Sequence, residues 1–79
     1  MAKVLLFGRL GDVAGWRERQ VAATALYAIR DCLAAEDPAL GEALAAPGVQ
    51  IALNQAIVRG DAPVGPEAEV AFLPPMSGG

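Results

Sequence analysis

The chain has 79 residues, 54% of them hydrophobic, and a formal net charge of −3, so it is one domain that buries only about 60% of its unfolded surface and has no room for a deep catalytic cleft. A single cysteine, Cys32, and the absence of histidine exclude an internal disulfide, the common zinc sites and the usual catalytic bases, so no metal or bound cofactor is expected. Six scattered lysine and arginine residues and the lack of a long apolar run predict no nucleic-acid partner, no membrane partner and a cytoplasmic location.

The first predicted element is a strand with apolar side chains on both faces. Val4 and Leu6 point one way and Leu5 and Phe7 the other, because side chains alternate along a strand. A chain this short can hardly cover both faces. We therefore expect the strand either to lie between two layers or to offer one face to a partner.

A loop, a second strand and a helix are predicted next. The three glycines of residues 8–15 predict a loop, and residues 17–23 predict an edge strand that pairs with the first. Thr24 is the expected N-cap of an amphipathic helix. The apolar arc of this helix contains Ala25, Leu26, Ile29, Cys32 and Leu33. Cys32 is accordingly predicted to be a small buried hydrophobe, not a nucleophile.

A second, short helix is predicted from its start signal. Asp37 precedes Pro38, a combination typical of an N-cap followed by the first helical residue. Leu40 and Leu44, four residues apart, give the helix one apolar stripe. Pro47-Gly48 is expected to end it.

The last part of the chain predicts three strands. An alternating run ends at Asn54-Gln55, a tight turn into a short strand on which Ile57 is expected to be exposed. Val64 is the expected core anchor of the loop that follows, and residues 69–73 form the final strand. The predicted fold class is α+β, a mixed sheet of about four to five strands covered on one face by a main helix and a short helix.

The C-terminus is the most unusual stretch of the sequence. Pro74 and Pro75 lack backbone N–H groups and end the strand ladder, so residues 1–75 are predicted to be the domain and residues 76–79 a flexible tail. Gly78 and Gly79 have no side chains and could be threaded into a narrow channel. The terminal carboxylate would then be open to chemical activation, although a Gly-Gly end is also compatible with an ordinary frayed terminus.

Three segments of the sequence form a recognisable set: KVLLFGRLGDVAG at 3–15, ALNQAIV at 52–58 and EVAFLPPMSGG at 69–79. They resemble the MoaD family, the ubiquitin-like small subunits of molybdopterin synthase, and the resemblance covers nearly the whole chain. The sequence departs from the family's pattern in two loops, where Leu10-Gly11-Asp12 replaces Leu-Arg-Glu and Pro66-Glu67 replaces Asp-Gly. We expect partners to contact these loops differently, and neither loop belongs to the tail.

The resemblance implies a β-grasp fold with the first and last strands parallel at the sheet centre. It also implies that an E1-like adenylyltransferase consumes ATP to adenylate Gly79, which then becomes a thiocarboxylate and gives its sulfur to cyclic pyranopterin monophosphate to form the molybdopterin dithiolene. Gly78 would provide steric access. The chain would not be an enzyme on its own, and its second partner would be the large synthase subunit, in a heterotetramer.

Adjacency of the first and last strands would place Phe7 and Leu73 on one exposed apolar patch, which Ile57 extends. The predicted partner-binding residues are these three together with Pro74, Pro75, Met76 and Ser77. Three other functions remain open: a sulfur carrier of the thiamine pathway, a ubiquitin-like modifier ligated to lysines, and an interaction domain with an incidental Gly-Gly end.

Overall fold

A computed structural model of the chain describes residues 1–75, and its central feature is a five-stranded mixed sheet. The strands are β1 (Ala2–Leu6), β2 (Glu18–Val21), β3 (Gln50–Leu53), β4 (Ala56–Val58) and β5 (Glu69–Leu73). The helices are α1 (Arg9–Ala14), α2 (Leu26–Glu36) and α3 (Pro38–Leu44). The strand order is β2-β1-β5-β3-β4, with β1 parallel to β5 and every other neighbouring pair antiparallel. The α+β class and the parallel central pair are confirmed.

One face of the sheet is covered by the helices, and the core lies between them. Val4 and Val70, opposite each other on β1 and β5, are completely buried, as is Phe72. The predicted core stripe of α2 is confirmed, because Leu26, Ile29 and Leu33 are all buried. Full burial of these side chains stabilises the domain by about 1.5 to 3 kcal/mol each, before entropy is counted.

The loop predicted at residues 8–15 is wrong, because residues 9–14 form α1. Gly8 and Gly15 lie outside this helix and adopt positive φ angles of 54° and 84°. Only Gly11 is inside it, and Leu10 anchors the helix in the core. Glycines that mark both ends of a single-turn helix are easily mistaken for a continuous loop.

The start of α2 also differs from the prediction. Its N-cap is Ala25, not Thr24, and Ala25 makes no side-chain capping bond. Asp61, from the loop after β4, supplies the cap instead: its Oδ1 accepts the backbone N–H of Tyr27 at 3.0 Å. This contact joins residues 34 positions apart and could not be read from local sequence.

Cys32 is exposed, so its prediction as a buried hydrophobe is wrong. On a helical wheel it lies at the edge of the apolar arc, about 90° from the centre of the stripe formed by Leu26, Ile29 and Leu33. Its Sγ lies 4.0 Å from Glu36 Oε2 on the same helix. The three residues of the stripe are enough to anchor α2 in the core, and Cys32, at the edge of the arc, stays in contact with solvent.

Other local predictions hold. Asp37 caps α3, with its Oδ1 accepting the N–H of Leu40 at 3.3 Å, and the α3 stripe is buried. Asn54 and Gln55 form the turn between β3 and β4 with φ angles of 50° and 70°. Val64 is buried as predicted. No helix within residues 1–75 has the length and apolar character needed to cross a membrane.

Candidate functional site

The base of the C-terminal tail is held by β5, which is paired on both sides. Its neighbours are β1, in parallel, and β3, antiparallel. Phe72 anchors the strand in the core, and the N–H of Phe7 donates to the Phe72 carbonyl at 3.2 Å just beyond the end of β1. Two backbone ladders and a buried aromatic ring therefore fix the point from which Pro74 leaves the sheet.

The sheet face opposite the helices carries an apolar patch beside this point. We call the set Leu5, Phe7, Ile57, Ala71 and Leu73 the sheet-face patch. Strand register places Leu5 opposite Ala71, and Ala52 of β3 lies opposite both Ala71 and Ile57. One apolar row thus crosses four strands.

The exposure of the patch follows the predicted alternation. Phe7 is 45% exposed and Ile57 is 48% exposed, whereas Val4, Leu6 and Phe72 on the helix side are at most 2% exposed. The predicted facing of β1 and β5 and the exposed position of Ile57 are confirmed. Phe7 and Ile57 lie at the two ends of this face, just after β1 and on β4, with Ala71 and Ala52 between them. Large apolar side chains exposed on one face of a small domain make that face a candidate contact surface.

Two glycines flank the double proline at the exit. A Cβ placed on Gly8 would lie 3.1 Å from Pro74 Cγ, and one placed on Gly48 would lie 3.0 Å from Pro75 Cβ. Both glycines have positive φ, a conformation that side chains disfavour. Gly8 and Gly48 therefore let the chain leave between α1 and the segment before β3.

The described residues contain no buried polar or charged side chain and no cluster of three histidine, cysteine, aspartate or glutamate residues able to hold a metal ion. Residues 1–75 provide an apolar surface and a fixed exit for the C-terminal segment.

The predicted site residues divide into two groups. Phe7, Ile57 and Leu73 lie on the sheet-face patch, and Pro74 and Pro75 lie at the exit next to it. The other four, Met76, Ser77, Gly78 and Gly79, lie outside the described residues. The structure therefore shows only where they are attached, at Pro75.

Sequence reasoning missed the contribution of Gly8 and Gly48 to the exit. Gly48 was interpreted only as the end of α3, and Gly8 only as part of a loop. Their signal, glycines far apart in sequence that lie against consecutive prolines, exists only once the sheet is assembled.

Comparison with known proteins gives one family and a consistent fold. The ThiS family model matches residues 4–79. The molybdopterin synthase sulfur carrier subunit of Escherichia coli (strain K12) is 36% identical over 81 residues, covering 100% of both chains.

Two solved structures have the same fold. The small archaeal modifier protein 1 of Methanosarcina acetivorans superimposes with a TM-score of 0.89 at 23% identity, covering 99% of this chain and 95% of that one. A putative molybdopterin converting factor subunit 1 from Pyrococcus furiosus gives a TM-score of 0.81 at 21% identity, covering 95% and 97%. At these identities the structures establish the ubiquitin-like β-grasp fold alone.

Proposed function

This chain belongs to the ThiS family, and from that premise we propose that it is the sulfur-carrier subunit of a molybdopterin synthase. The observation that carries the proposal is the geometry of the exit. The central strand β5, which is paired on both sides, is followed directly by Pro74-Pro75, and these prolines lie beside the sheet-face patch. Full-length identity of 36% to a molybdopterin synthase sulfur carrier supports the choice of pathway.

The proposed chemistry takes place on the Gly79 carboxylate. An E1-like enzyme uses it to attack the α-phosphate of ATP, and pyrophosphate leaves. Hydrogen sulfide ion from a sulfur donor then attacks the acyl carbon of the adenylate: the new C–S bond forms as the C–O bond to AMP breaks, the thioacid loses its proton, and a thiocarboxylate remains. In the large synthase subunit this sulfur passes to cyclic pyranopterin monophosphate, and water restores the carboxylate. The chain itself contributes no acid or base.

The sheet-face patch is the proposed docking surface for both partners. Each must hold the same exit so that Gly78 and Gly79 reach its active site, hence the two bind one at a time. We further propose a heterotetramer of two carriers on a dimer of large subunits, acting in the cytoplasm. Pro74, Pro75, Met76 and Ser77 would line the path from the patch to the reactive carbonyl.

The first test is the state of Gly79 after incubation with the activating enzyme, ATP and a sulfur donor. Replacement of oxygen by sulfur adds about 16 Da, but so does oxidation of Met76 to the sulfoxide. Fragmentation must therefore place the added mass on Gly79. Deletion of Gly79, or Gly78→Val, is expected to abolish the product. Gly65→Ala is the control, because it changes a loop glycine at which an added Cβ meets no atom within 4 Å and it keeps the Gly-Gly end.

Stability measurements complete this test. The tail follows the last hydrogen-bonded strand, so the Gly79 deletion should unfold in the same cooperative transition as the parent chain. Thiocarboxylate formation or cofactor synthesis by the deletion variant would refute the proposal. Loss of the transition would instead make the tail a structural element.

A thiamine-pathway carrier would share the thiocarboxylate, so the acceptor distinguishes it. Sulfur transfer from the loaded chain to cyclic pyranopterin monophosphate, in the presence of the large subunit, is expected under our proposal. A ubiquitin-like modifier would instead form conjugates that survive denaturing electrophoresis. Because Lys3 is the one lysine of the chain, Lys3→Arg separates self-conjugates from conjugates on other proteins.

A further inference from the structure

The fold brings together two arginines that lie far apart in sequence. Arg30 is on α2 and Arg59 follows β4, and both line a cleft of about 250 Å³ between that helix and the β3–β4 edge of the sheet. The lining contains no aspartate or glutamate, although the chain has nine such residues and a net charge of −3. The cleft is therefore a local positive site on an acidic protein.

The two guanidiniums are weakly compensated by their surroundings. Within residues 1–75, Arg59 has no ion pair and its side chain makes no hydrogen bond, and the one ion pair of Arg30 is a loose contact of 3.9 Å to the exposed Asp31. By contrast, Arg17 is bonded to Asp12 at 2.7 Å. Two like charges that line one cleft repel each other, and a carboxylate between them would relieve this repulsion and give Arg59 an ion-pair partner.

Arg30 is also held in a conformation suited to binding. Its guanidinium lies over the Tyr27 ring, 4.0 Å from the ring centroid. Stacking occupies the flat face of a guanidinium and leaves its N–H groups, which lie in the plane, free to donate to a carboxylate. Part of the side-chain entropy cost of binding is thereby already met.

The cleft is continuous with the sheet-face patch. Ile57 belongs to the patch and also lines the cleft, so a protein seated on the patch reaches Arg59 at the β4 edge. We propose that the partner docked on the sheet-face patch places an aspartate or glutamate side chain between Arg30 and Arg59. This inference rests on the proposed function, because it takes the patch to be a docking surface.

The test measures the affinity of the large synthase subunit and of the activating enzyme by titration calorimetry at low and high salt. Arg59→Gln and the double variant Arg30→Gln/Arg59→Gln are compared with Arg19→Gln, which removes the same charge from β2 at the opposite edge of the sheet. We expect Arg59→Gln to weaken binding about five- to tenfold at low salt, and the double variant to weaken it further and to reduce the salt dependence. Arg19→Gln should leave affinity within about twofold.

Arg59 keeps the test valid if Arg30→Gln lowers stability, because the Arg59 side chain has no partner to lose within residues 1–75. Unchanged affinity of Arg59→Gln and of a folded double variant for both partners would overturn the inference. Leu73→Arg separates this failure from failure of the proposed function. If Leu73→Arg weakens binding while the arginine variants do not, only the acidic contact is wrong; if it too has no effect, the docking surface is wrong.

Two further results would assign the cleft to another occupant and overturn the proposal. Saturable binding of inorganic phosphate to the free chain, lost in Arg59→Gln, would make it a phosphate site. Concentration-dependent dimerisation seen by sedimentation and lost in the same variant would make it a contact between two copies of the chain.

Discussion

Gly48→Ala tests whether the direction in which the chain leaves the sheet matters for function. Gly48 has a φ of 90°, and a Cβ added there would lie 3.0 Å from Pro75 Cβ. Gly15 is a matched control, because it has a φ of 84° and no atom within 4 Å of an added Cβ. The two substitutions thus share the backbone strain and differ in the contact with Pro75.

The strain of an L-residue at such a φ is about 1 to 2 kcal/mol, so both variants should lose about that much stability. In Gly48→Ala the crowded neighbour must also shift by a few tenths of an ångström. Pro75 is exposed and has no strand beyond it, whereas β3 and β5 are paired and packed, so Pro75 is expected to move. The added stability cost should therefore stay below about 1 kcal/mol.

The effect on activity should be larger than the effect on stability. A displacement at Pro75 is carried to the Gly79 carboxyl, and misplacement by about 1 Å can reduce a reaction rate about a hundredfold. We expect adenylation of Gly48→Ala to slow at least about tenfold relative to Gly15→Ala, measured as pyrophosphate release at saturating ATP. Urea unfolding of both variants checks their stability. Equal adenylation rates for the two alanine variants would show that the direction in which the chain leaves the sheet does not affect adenylation.

Three further predictions concern the two faces of the domain. Phe7→Arg should weaken both partner complexes by about 2 kcal/mol, because 45% of a phenylalanine side-chain area of roughly 200 Å² remains to be buried. Ala35→Arg, on the exposed side of α2, is the control in the same calorimetric titration, and equal affinities of the two variants would place the docking surface elsewhere. Leu33→Ala, at a site only 1% exposed, should cost about 2 to 5 kcal/mol in urea unfolding, and a change below about 0.5 kcal/mol would contradict its core position. Cys32 should react with a thiol reagent in the native protein without prior unfolding, and labelling that requires urea would contradict its exposure.

Features that depend on short-range pattern were predictable from the sequence. Alternation along β1 and β5 assigned Phe7 to the open face and Phe72 to the core, because a strand inverts its side chains at every residue. Asn54-Gln55 identified a turn because asparagine tolerates positive φ and a two-residue hairpin requires it. The parallel pairing of β1 with β5 was different, since it came from the family resemblance and not from the residues themselves.

Features that depend on distant contacts were not predictable. The Asp61 cap of α2 and the position of Gly48 against Pro75 both join segments separated by a large part of the chain. Arg30 and Arg59 were interpreted as scattered charges. They are far apart in sequence, but the fold places both in the lining of one cleft. The predicted burial of Cys32 was wrong for a simpler reason. A wide apolar arc predicts which side of a helix is buried, but it does not predict how far the neighbouring sheet extends around the helix.

The attachment of the tail to the central strand limits how any partner can use it. Loosening β5 would break two backbone ladders and expose Phe72, so the end of β5 at Leu73 is firmly fixed. Only the four residues after Pro75 then determine the reach, which is at most about 13 to 14 Å for a fully extended chain. Under the proposed function, the activating enzyme and the large synthase subunit would each have to place their reactive atoms within that distance of Pro75. Because both would also use the sheet-face patch, we expect them to bind one at a time, so that sulfur loading and sulfur delivery alternate.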